Sequence, residues 1–186
     1  MGAGRRFPRR RRWLRRRRRI GALVAVDLKR IAQHLFSLPR ALPAGALASI
    51  EQAIAKSETT HRGEIRFAAE GALDSAALFV GQSARERAIE VFSQLRVWDT
   101  EENNGVLIYL LVADRDIEIV ADRGINARVA HGEWERICRG MESILARGAL
   151  EQAILEGIRE VSLLLARHYP PRPGGRNELP DKPVVL

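Results

Sequence analysis

Carboxylate and amide side chains flank the two segments of the chain that most strongly predict β-strands. Glu101, Glu102 and Asn103 precede the apolar run VLIYLLVA, and Asp122 follows the alternating segment that comes next. Carboxylate and amide oxygens are the ligands that hard cations such as Ca²⁺ and Mg²⁺ prefer. These residue types therefore suggest a cation site, provided that the fold brings them to one place.

The connection between the two segments predicts how they meet. Only Asp114-Arg115 separates them, and so short a connection favours an antiparallel hairpin. With these two residues as the turn, Val106 lies opposite Arg123 and Leu107 lies opposite Asp122. The loop before the first segment and the residues after the second are then expected at the same end of the sheet.

An earlier strand contributes the last member of the set. Residues 63–70 alternate in polarity, and a strand joined to the central one by a helix is expected to run parallel to it. Glu64, at the start of this strand, is therefore expected at the same end of the sheet. The predicted ligands of Ca²⁺ or Mg²⁺ are Glu64, Glu101, Glu102, Asn103 and Asp122. The alternative is that these are solvated loop side chains without an ion.

No other motif provides a nucleophile with a base, and the catalytic residues stay unassigned. His131-Gly132-Glu133 has the H-x-E pattern of zinc deaminases, but the companion Pro-Cys-x-x-Cys is missing. Cys138 is the single cysteine, which excludes an intramolecular disulfide and a cysteine-cluster zinc site. Its position on an apolar helix face predicts a core residue. His34 and His61 are isolated in the sequence, and it contains no phosphate-binding glycine motif.

The net charge of +8 arises at one end of the chain. Residues 1–19 contain eleven arginines and no acid, and without them 20 basic residues remain against 23 acidic ones. We expect residues 1–26 to be a detachable leader. It is either the product of a start codon placed too early, or a polybasic tether to anionic lipid, or an arm that binds nucleic acid. No apolar run reaches the roughly 18 residues that suggest a transmembrane helix.

Hydrophobic periodicity predicts a regular succession of helices and strands in the body of the chain. The predicted elements, in chain order, are helices at 27–38 and 43–59, a strand at 63–70, a helix at 83–97, strands at 106–113 and 117–121, and helices at 130–145 and 150–165. This order predicts an α/β fold, a three-layer α/β/α sandwich with a small mixed sheet. A right-handed β-α-β crossover is followed by an antiparallel hairpin.

The same patterns divide the chain into a domain and a tail. The domain is expected to span residues 27–168, with its core at 43–168, and the proline-rich residues 169–186 predict an extended, poorly ordered tail. Two tryptophans, Trp98 and Trp134, are expected to anchor the core.

Three arginines in the predicted crossover helix are expected to form solvent-exposed ion pairs. Arg85, Arg87 and Arg96 lie beside Glu86 and Glu90, and mixed signs at this spacing are typical of solvated pairs on a helix surface.

Several short motifs resemble the TPM domain family. Arg62-Gly63-Glu64-Ile65 opens the first strand, Trp98 closes the next helix, and Asn103-Asn104-Gly105-Val106-Leu107-Ile108 starts the central strand. Ile117-Glu118-Ile119 and Gly124 mark the second strand of the hairpin. The resemblance covers residues 43–168. It implies an α/β/α sandwich with a mixed sheet, and it associates the domain with phosphatase activity and with calcium at an acidic pocket.

The chain departs from the family pattern at three places that bear on this chemistry. Asn103 stands where the family commonly has the aspartate of Asp-Asn-Gly, and Asp122-Arg123-Gly124 stands in place of Gly-Tyr-Gly. The acidic residue that usually precedes the first domain helix is absent from residues 41–45. The first and the third of these changes lower the negative charge available to a cation.

The function that we expect is that of an accessory module binding a protein or a membrane-associated partner. One alternative is a Ca²⁺- or Mg²⁺-dependent phosphatase, which is supported only by the family resemblance. Another is binding of nucleic acid or anionic membrane through the arginine-rich leader. The expected location is the cytoplasm, with attachment to a membrane surface as the alternative.

Overall fold

The computed structural model describes residues 27–36, 42–174 and 176–186 of the chain. The arginine-rich leader lies outside these residues, and what the sequence predicts for it stays a prediction. The helices are α1 Leu28–Phe36, α2 Ala44–Glu58, α3 Ser75–Phe79, α4 Ala84–Gln94, α5 Arg123–Asn126, α6 His131–Ala146 and α7 Leu150–His168. The strands are β1 Glu64–Glu70, β2 Gly105–Leu111, β3 Asp116–Ala121 and β4 Val184–Val185.

The strands form one mixed sheet in the order β3-β2-β1-β4. β1 and β2 are parallel, with Glu64 opposite Gly105 and Glu70 opposite Leu111. β2 and β3 are antiparallel. The predicted α/β fold with a mixed sheet is therefore confirmed.

Helices cover both faces of this sheet. On one face Ile65, Phe67 and their neighbours on β2 and β3 pack against α2, α6 and α7. On the other face Leu107 and Tyr109 pack against α4 and against Leu179 of the C-terminal tail. All seven residues of β2 are buried, as expected for a central strand with an unbroken apolar sequence. Each large apolar side chain buried here contributes roughly 1.5–3 kcal/mol.

The hairpin differs in register from the prediction. Val106 pairs with Ala121 and Leu107 with Val120, so the predicted two-residue turn is wrong and the loop comprises residues 112–115. A two-residue turn of the type I′ kind requires positive φ at both central residues. Only Arg115 has positive φ in this loop, at 55°.

Neighbouring contacts explain why the longer loop forms. The N–H of Val112 donates to the carbonyl of Glu70 at 2.9 Å, and that of Ala113 donates to Gly71 at 3.1 Å. The N–H groups of these two residues are therefore bonded to the end of β1 and the residue after it, and these residues do not pair with β3.

A short helix and its cap replace part of the predicted polar stretch after β1. Asp74 accepts the N–H of Ala77 at 2.8 Å and caps α3. At the start of α4, Ser83 and Glu86 form a capping box. This reciprocal bonding satisfies donors that the first helical turn leaves free.

The C-terminal tail is extended, but the prediction that it is poorly ordered is wrong. Val184 and Val185 pair in parallel with Ala68 and Ala69, and Leu179 is buried at 8% exposure. The free edge of β1 has unpaired backbone donors and acceptors, and the tail satisfies some of them.

Two further predictions need correction. Trp134 is buried, but Trp98 is 48% exposed. Of the two tryptophans, Trp134 alone is a core anchor. His34 is not isolated, because its Nε2 lies 2.8 Å from Asp114 Oδ1 and its Nδ1 accepts the N–H of Leu73 at 3.0 Å.

The arginines of α4 also have contacts beyond their own helix. Arg87 donates to the partly buried carboxylate of Glu70 at 2.8 Å, as well as to Glu90. Arg85 contacts Glu118 on β3. The solvated pairs predicted along the helix are thus an incomplete description, because two of these side chains tie α4 to the sheet.

Candidate functional site

One end of the sheet brings together the segments that the sequence analysis singled out. We define this rim as residues 62–64, 100–105 and 122–124. The N–H of Asp122 donates to the Gly105 carbonyl at 2.8 Å, and that of Ile125 donates to the Asn103 carbonyl at 3.1 Å. A Cβ atom at Gly124 would lie 2.5 Å from the Asn103 carbonyl oxygen. Only glycine permits so close an approach.

A cavity of about 450 Å³ opens at the rim. Its walls come from the end of α2, the start of β1, the loop before β2 and the C-terminal tail. Among the predicted cation ligands, Glu64, Glu101 and Glu102 line the cavity, whereas Asn103 and Asp122 do not.

Glu64 is bound to the tail. Its side-chain oxygens accept the backbone N–H groups of Glu178 and Leu179, each at 3.2 Å. Burial raises the pKa of Glu64, and the two backbone hydrogen bonds oppose this effect. The carboxylate therefore has its own donors inside the chain.

Glu102 is paired with arginine. Arg62 forms an ion pair with it, and Arg172 lies 3.5 Å from the same oxygen. Arg62 also donates to the Pro170 carbonyl at 2.8 Å, and its guanidinium lies 5.6 Å from the centre of the Tyr169 ring. Burial and the nearby Arg172 and Arg128 charges lower the pKa of Arg62.

Asn103 and Asp122 make local contacts with the segment that begins α5. Asn103 has a φ of 53°, and its side-chain oxygen accepts from Arg123 Nε at 2.9 Å. Asp122 caps α5 through Oδ1, which accepts the N–H of Arg123 at 2.7 Å. The second oxygen, Oδ2, is buried and makes no hydrogen bond with the described residues.

These contacts test how well the predicted ligands fit a divalent cation. Of the five, only Glu101 has a side chain without a hydrogen bond or ion pair to another described residue. Within residues 27–36, 42–174 and 176–186, no group of three or more His, Cys, Asp or Glu side chains is arranged to hold a metal ion. The arrangement does not suit a resident Ca²⁺ or Mg²⁺ ion, and the cation site stays a prediction for titration to decide.

Three ionisable side chains of the cavity were not found from the sequence. Burial raises the pKa of Glu58 to about 9, with Glu64 and Asp181 adding to the shift. Burial lowers the pKa of His61 to about 4. The helical pattern of α2 gave no sign that Glu58 is partly buried, and Asp181 lies in the tail that was predicted to be poorly ordered.

The structural role of Asn104 at the rim was also not predicted from the sequence. Its side chain is completely buried, its Nδ2 donates to the Arg62 carbonyl at 2.8 Å, and its backbone N–H donates to the Thr100 hydroxyl at 3.1 Å. Asn104 therefore connects the loop before β2 to the start of β1. The motif Asn-Asn-Gly was the available signal, because a buried amide between a turn and a strand needs partners.

Solved structures with the same fold are known. The NMR structure of the BA42 protein from the psychrophilic bacterium Bizionia argentinensis has a TM-score of 0.70 and 29% identity, covering 78% of this chain and 95% of that one. The solution NMR structure of the N-terminal domain of a protein from P. gingivalis has a TM-score of 0.56 and 17% identity, covering 70% and 82%. The second similarity concerns the fold alone.

Comparison of sequences gives the family. No curated protein matches the chain significantly. The TPM domain model matches residues 40–163, which include β1, β2, β3 and most of α7. The chain therefore belongs to the TPM domain family.

Proposed function

We propose that this TPM domain is a non-enzymatic interaction module for a protein or membrane-associated partner. The observation that carries the proposal is that Glu64 and Glu102, two of the four acids of the rim, are satisfied by donors of the same chain. Glu64 binds two backbone N–H groups of the tail, and Glu102 is paired with Arg62. In a metal-dependent hydrolase such oxygens would be directed at the ion.

The other reactive groups of the domain support the same conclusion. A hydrolase without a metal needs a nucleophile beside a positioned base. Burial raises the pKa of the Cys138 thiol to about 11, so the nucleophilic thiolate is scarce at neutral pH. His61, with a pKa of about 4, is a weak base and is 4% exposed.

A surface on the opposite part of the domain supports binding to a partner. Leu28 on α1 is 75% exposed, and Phe79 and Val80 at the end of α3 are 61% and 70% exposed. α1 contacts α3, and Arg30 Nη1 donates to the Gln82 carbonyl at 2.8 Å. Exposed apolar side chains on adjacent elements are typical of protein or membrane contacts.

The segment that precedes α1 in the sequence is positively charged, as binding to an anionic membrane surface requires. The eleven arginines of residues 1–19 precede α1 in the chain. Basic segments beside apolar side chains favour anionic lipid surfaces. Across the described residues no helix has the length and apolar character needed to cross a bilayer, so the proposed attachment is peripheral.

Sedimentation of the full chain with vesicles tests the membrane form of the proposal. We expect binding to phosphatidylserine-containing vesicles that is weakened by Phe79→Asp and Val80→Asp. The matched control is Leu163→Asp on α7, a side chain that is also exposed, at 52%, but belongs to another helix. Equal effects of the three substitutions would argue against a specific surface on α3.

One observation favours the second candidate, a Ca²⁺- or Mg²⁺-dependent phosphatase. Asp122 Oδ2 is buried without a hydrogen bond to the described residues, and Glu101 lines the cavity with a free carboxylate. Hydrolysis of p-nitrophenyl phosphate with each cation separates the two candidates. Turnover that requires the cation and is abolished by Glu64→Ala would contradict the proposed non-enzymatic role.

A further inference from the structure

The cavity at the rim is lined by side chains of both charges. Six acidic residues and three arginines contribute to its walls. Burial raises the pKa values of Glu58 and Glu64, and the nearby carboxylate of Asp181 adds to both shifts. Arg62 lies over the ring of Tyr169, and burial lowers the pKa of Arg62 together with the charge of Arg172, which is close enough to contribute. The walls therefore contain an acidic group and a cationic group.

His61 gives an independent indication that a ligand belongs in the cavity. The residue is 4% exposed and lines the cavity. Neither ring nitrogen makes a well-formed hydrogen bond with the described residues, and only the Gly63 backbone is near enough to influence its pKa. Buried polar groups normally have partners. A donor from a ligand would satisfy the nitrogen that lacks a proton.

We propose that the rim cavity binds a small zwitterion of amino acid or dipeptide size. The ammonium group is held by the carboxyl groups of Glu58 and Asp181 and by the neutral ring of His61. The carboxylate of the ligand is held by Arg172 and Arg176. A volume of about 450 Å³ lies in the range of small-molecule sites.

The charges of the walls favour a zwitterion over a simple ion. Six acids against three arginines give the walls an excess of negative charge, which repels a lone anion, and a lone cation would leave Arg176 without a counter-charge. Arg172 is 68% exposed and its contact with Glu102 is long, at 3.5 Å, and Arg176 makes no ion pair with the described residues, so both guanidinium groups can turn toward a ligand. A molecule with both charges meets both groups of wall residues.

Binding of an ammonium also has a consequence for protons. Burial raises the pKa of Glu58 to about 9, Asp181, Glu64 and Arg66 lie near this carboxyl, and neutral His61 lies in the same cavity. A positive charge beside Glu58 favours its ionised form. Binding is therefore expected to release a proton and to become tighter as the pH rises from 6 toward about 9.

Titration of the full chain with glycylglycine, followed by NMR, tests the proposal. The two matched probes are N-acetylglycylglycine, which lacks the ammonium, and glycylglycinamide, which lacks the carboxylate. We expect saturable shifts of the His61 and Gly63 signals with glycylglycine and about tenfold weaker binding of either probe. Absence of saturable shifts at these residues, or equal binding of one of the half-charged probes, would overturn the proposal.

Substitutions then locate the two charges. Glu58→Gln and Arg172→Gln are each expected to weaken glycylglycine binding about tenfold, whereas the exposed controls Glu151→Gln and Arg147→Gln leave it unchanged. Unaltered spectra of the free variants show that they fold. If the controls weaken binding as much, the ligand does not occupy this cavity. Vesicle binding through α1 and α3 is measured separately, so failure of one proposal leaves the other intact.

Discussion

The carboxylate of Glu64 accepts the backbone N–H of Leu179 at 3.2 Å, which joins the first residue of β1 to the C-terminal tail. The neighbouring N–H of Glu178 binds the other oxygen of the same carboxylate. An acid that the sequence suggested for a cation thus holds a peptide segment, and the tail continues from there to pair with β1 as β4.

Loss of this contact is expected to destabilise the domain. Glu64→Ala leaves two N–H groups without an acceptor, of which that of Leu179 is buried, and we expect the free energy of unfolding to fall by about 1–3 kcal/mol. Glu64→Gln retains one acceptor oxygen and should cost less. Urea denaturation measures both changes. Glu101→Ala is the control at the same rim, and an equal loss in that variant would show that the contact with the tail contributes nothing.

A second buried network links the far ends of β1 and β2. Tyr109 donates to Glu70 Oε2 at 2.7 Å, and Arg87 donates to the same carboxylate. Burial and Glu70 raise the pKa of Tyr109. Tyr109→Phe is expected to lower the free energy of unfolding by about 1–2 kcal/mol. Tyr169→Phe removes only a 3.5 Å contact and serves as the control, so an equal loss in both variants would contradict the assignment.

Acid should destabilise the domain through His61. Its pKa falls from 6.5 to about 4 on folding, so between these values the unfolded chain binds a proton that the folded chain excludes. Stability therefore falls as the pH falls from 6.5 toward 4, by an amount on the order of 3 kcal/mol. Urea denaturation at several pH values measures this slope. His61→Asn should remove it and His168→Asn should retain it; a slope that survives in His61→Asn would refute the assignment.

Glu58 is expected to act at higher pH and in the opposite direction. Its pKa rises from 4.5 to about 9 on folding, so in this window the folded chain binds a proton that the unfolded chain has lost. Stability therefore decreases as the pH rises from 4.5 to 9. Glu58→Gln should flatten this decrease, whereas Glu51→Gln, an exposed residue of the same helix, should not. An unchanged decrease in Glu58→Gln would contradict the assignment.

The attachment of α1 depends on Asp114. Its carboxylate binds Arg30 at 2.8 Å and His34 at 2.8 Å, and these interactions lower the pKa of Asp114 against the effect of burial. Asp114→Asn removes the charge, and we expect faster hydrogen exchange of the amides of α1 and of Leu73. Asp74→Asn on the adjacent loop is the control, and slow exchange in Asp114→Asn would show that apolar packing alone holds α1.

The sequence predicted the central part of the fold because hydrophobic patterns were strong there. The run from Val106 to Leu111 is apolar on both faces, and both are buried. The alternation of residues 65–69 and of 117–121 indicated which side chains join the larger apolar cluster, although the opposite face of β1 is buried as well. Most of the rim followed from this topology, since parallel strands of similar length begin at the same end.

What escaped prediction depends on contacts that local patterns do not encode. The hairpin register depends on backbone bonds from Val112 and Ala113 to the β1 side. The order of the tail depends on Glu64, which lies 114 residues before Glu178. The cavity that Glu58 and His61 line is completed by residues of the same tail. In each case a distant segment outweighed the local composition.

The most direct test of the central claim is the melting temperature of the full chain with and without millimolar Ca²⁺ or Mg²⁺. Asn103→Asp, which restores the carboxylate common in the family, is measured in parallel. Because Glu64 and Glu102 have partners within the chain, we predict no change in the melting temperature with either cation in either protein. A cation present at about 100 times its Kd would add about 2.7 kcal/mol of stability, and a rise of this kind that Glu64→Ala abolishes would contradict the account.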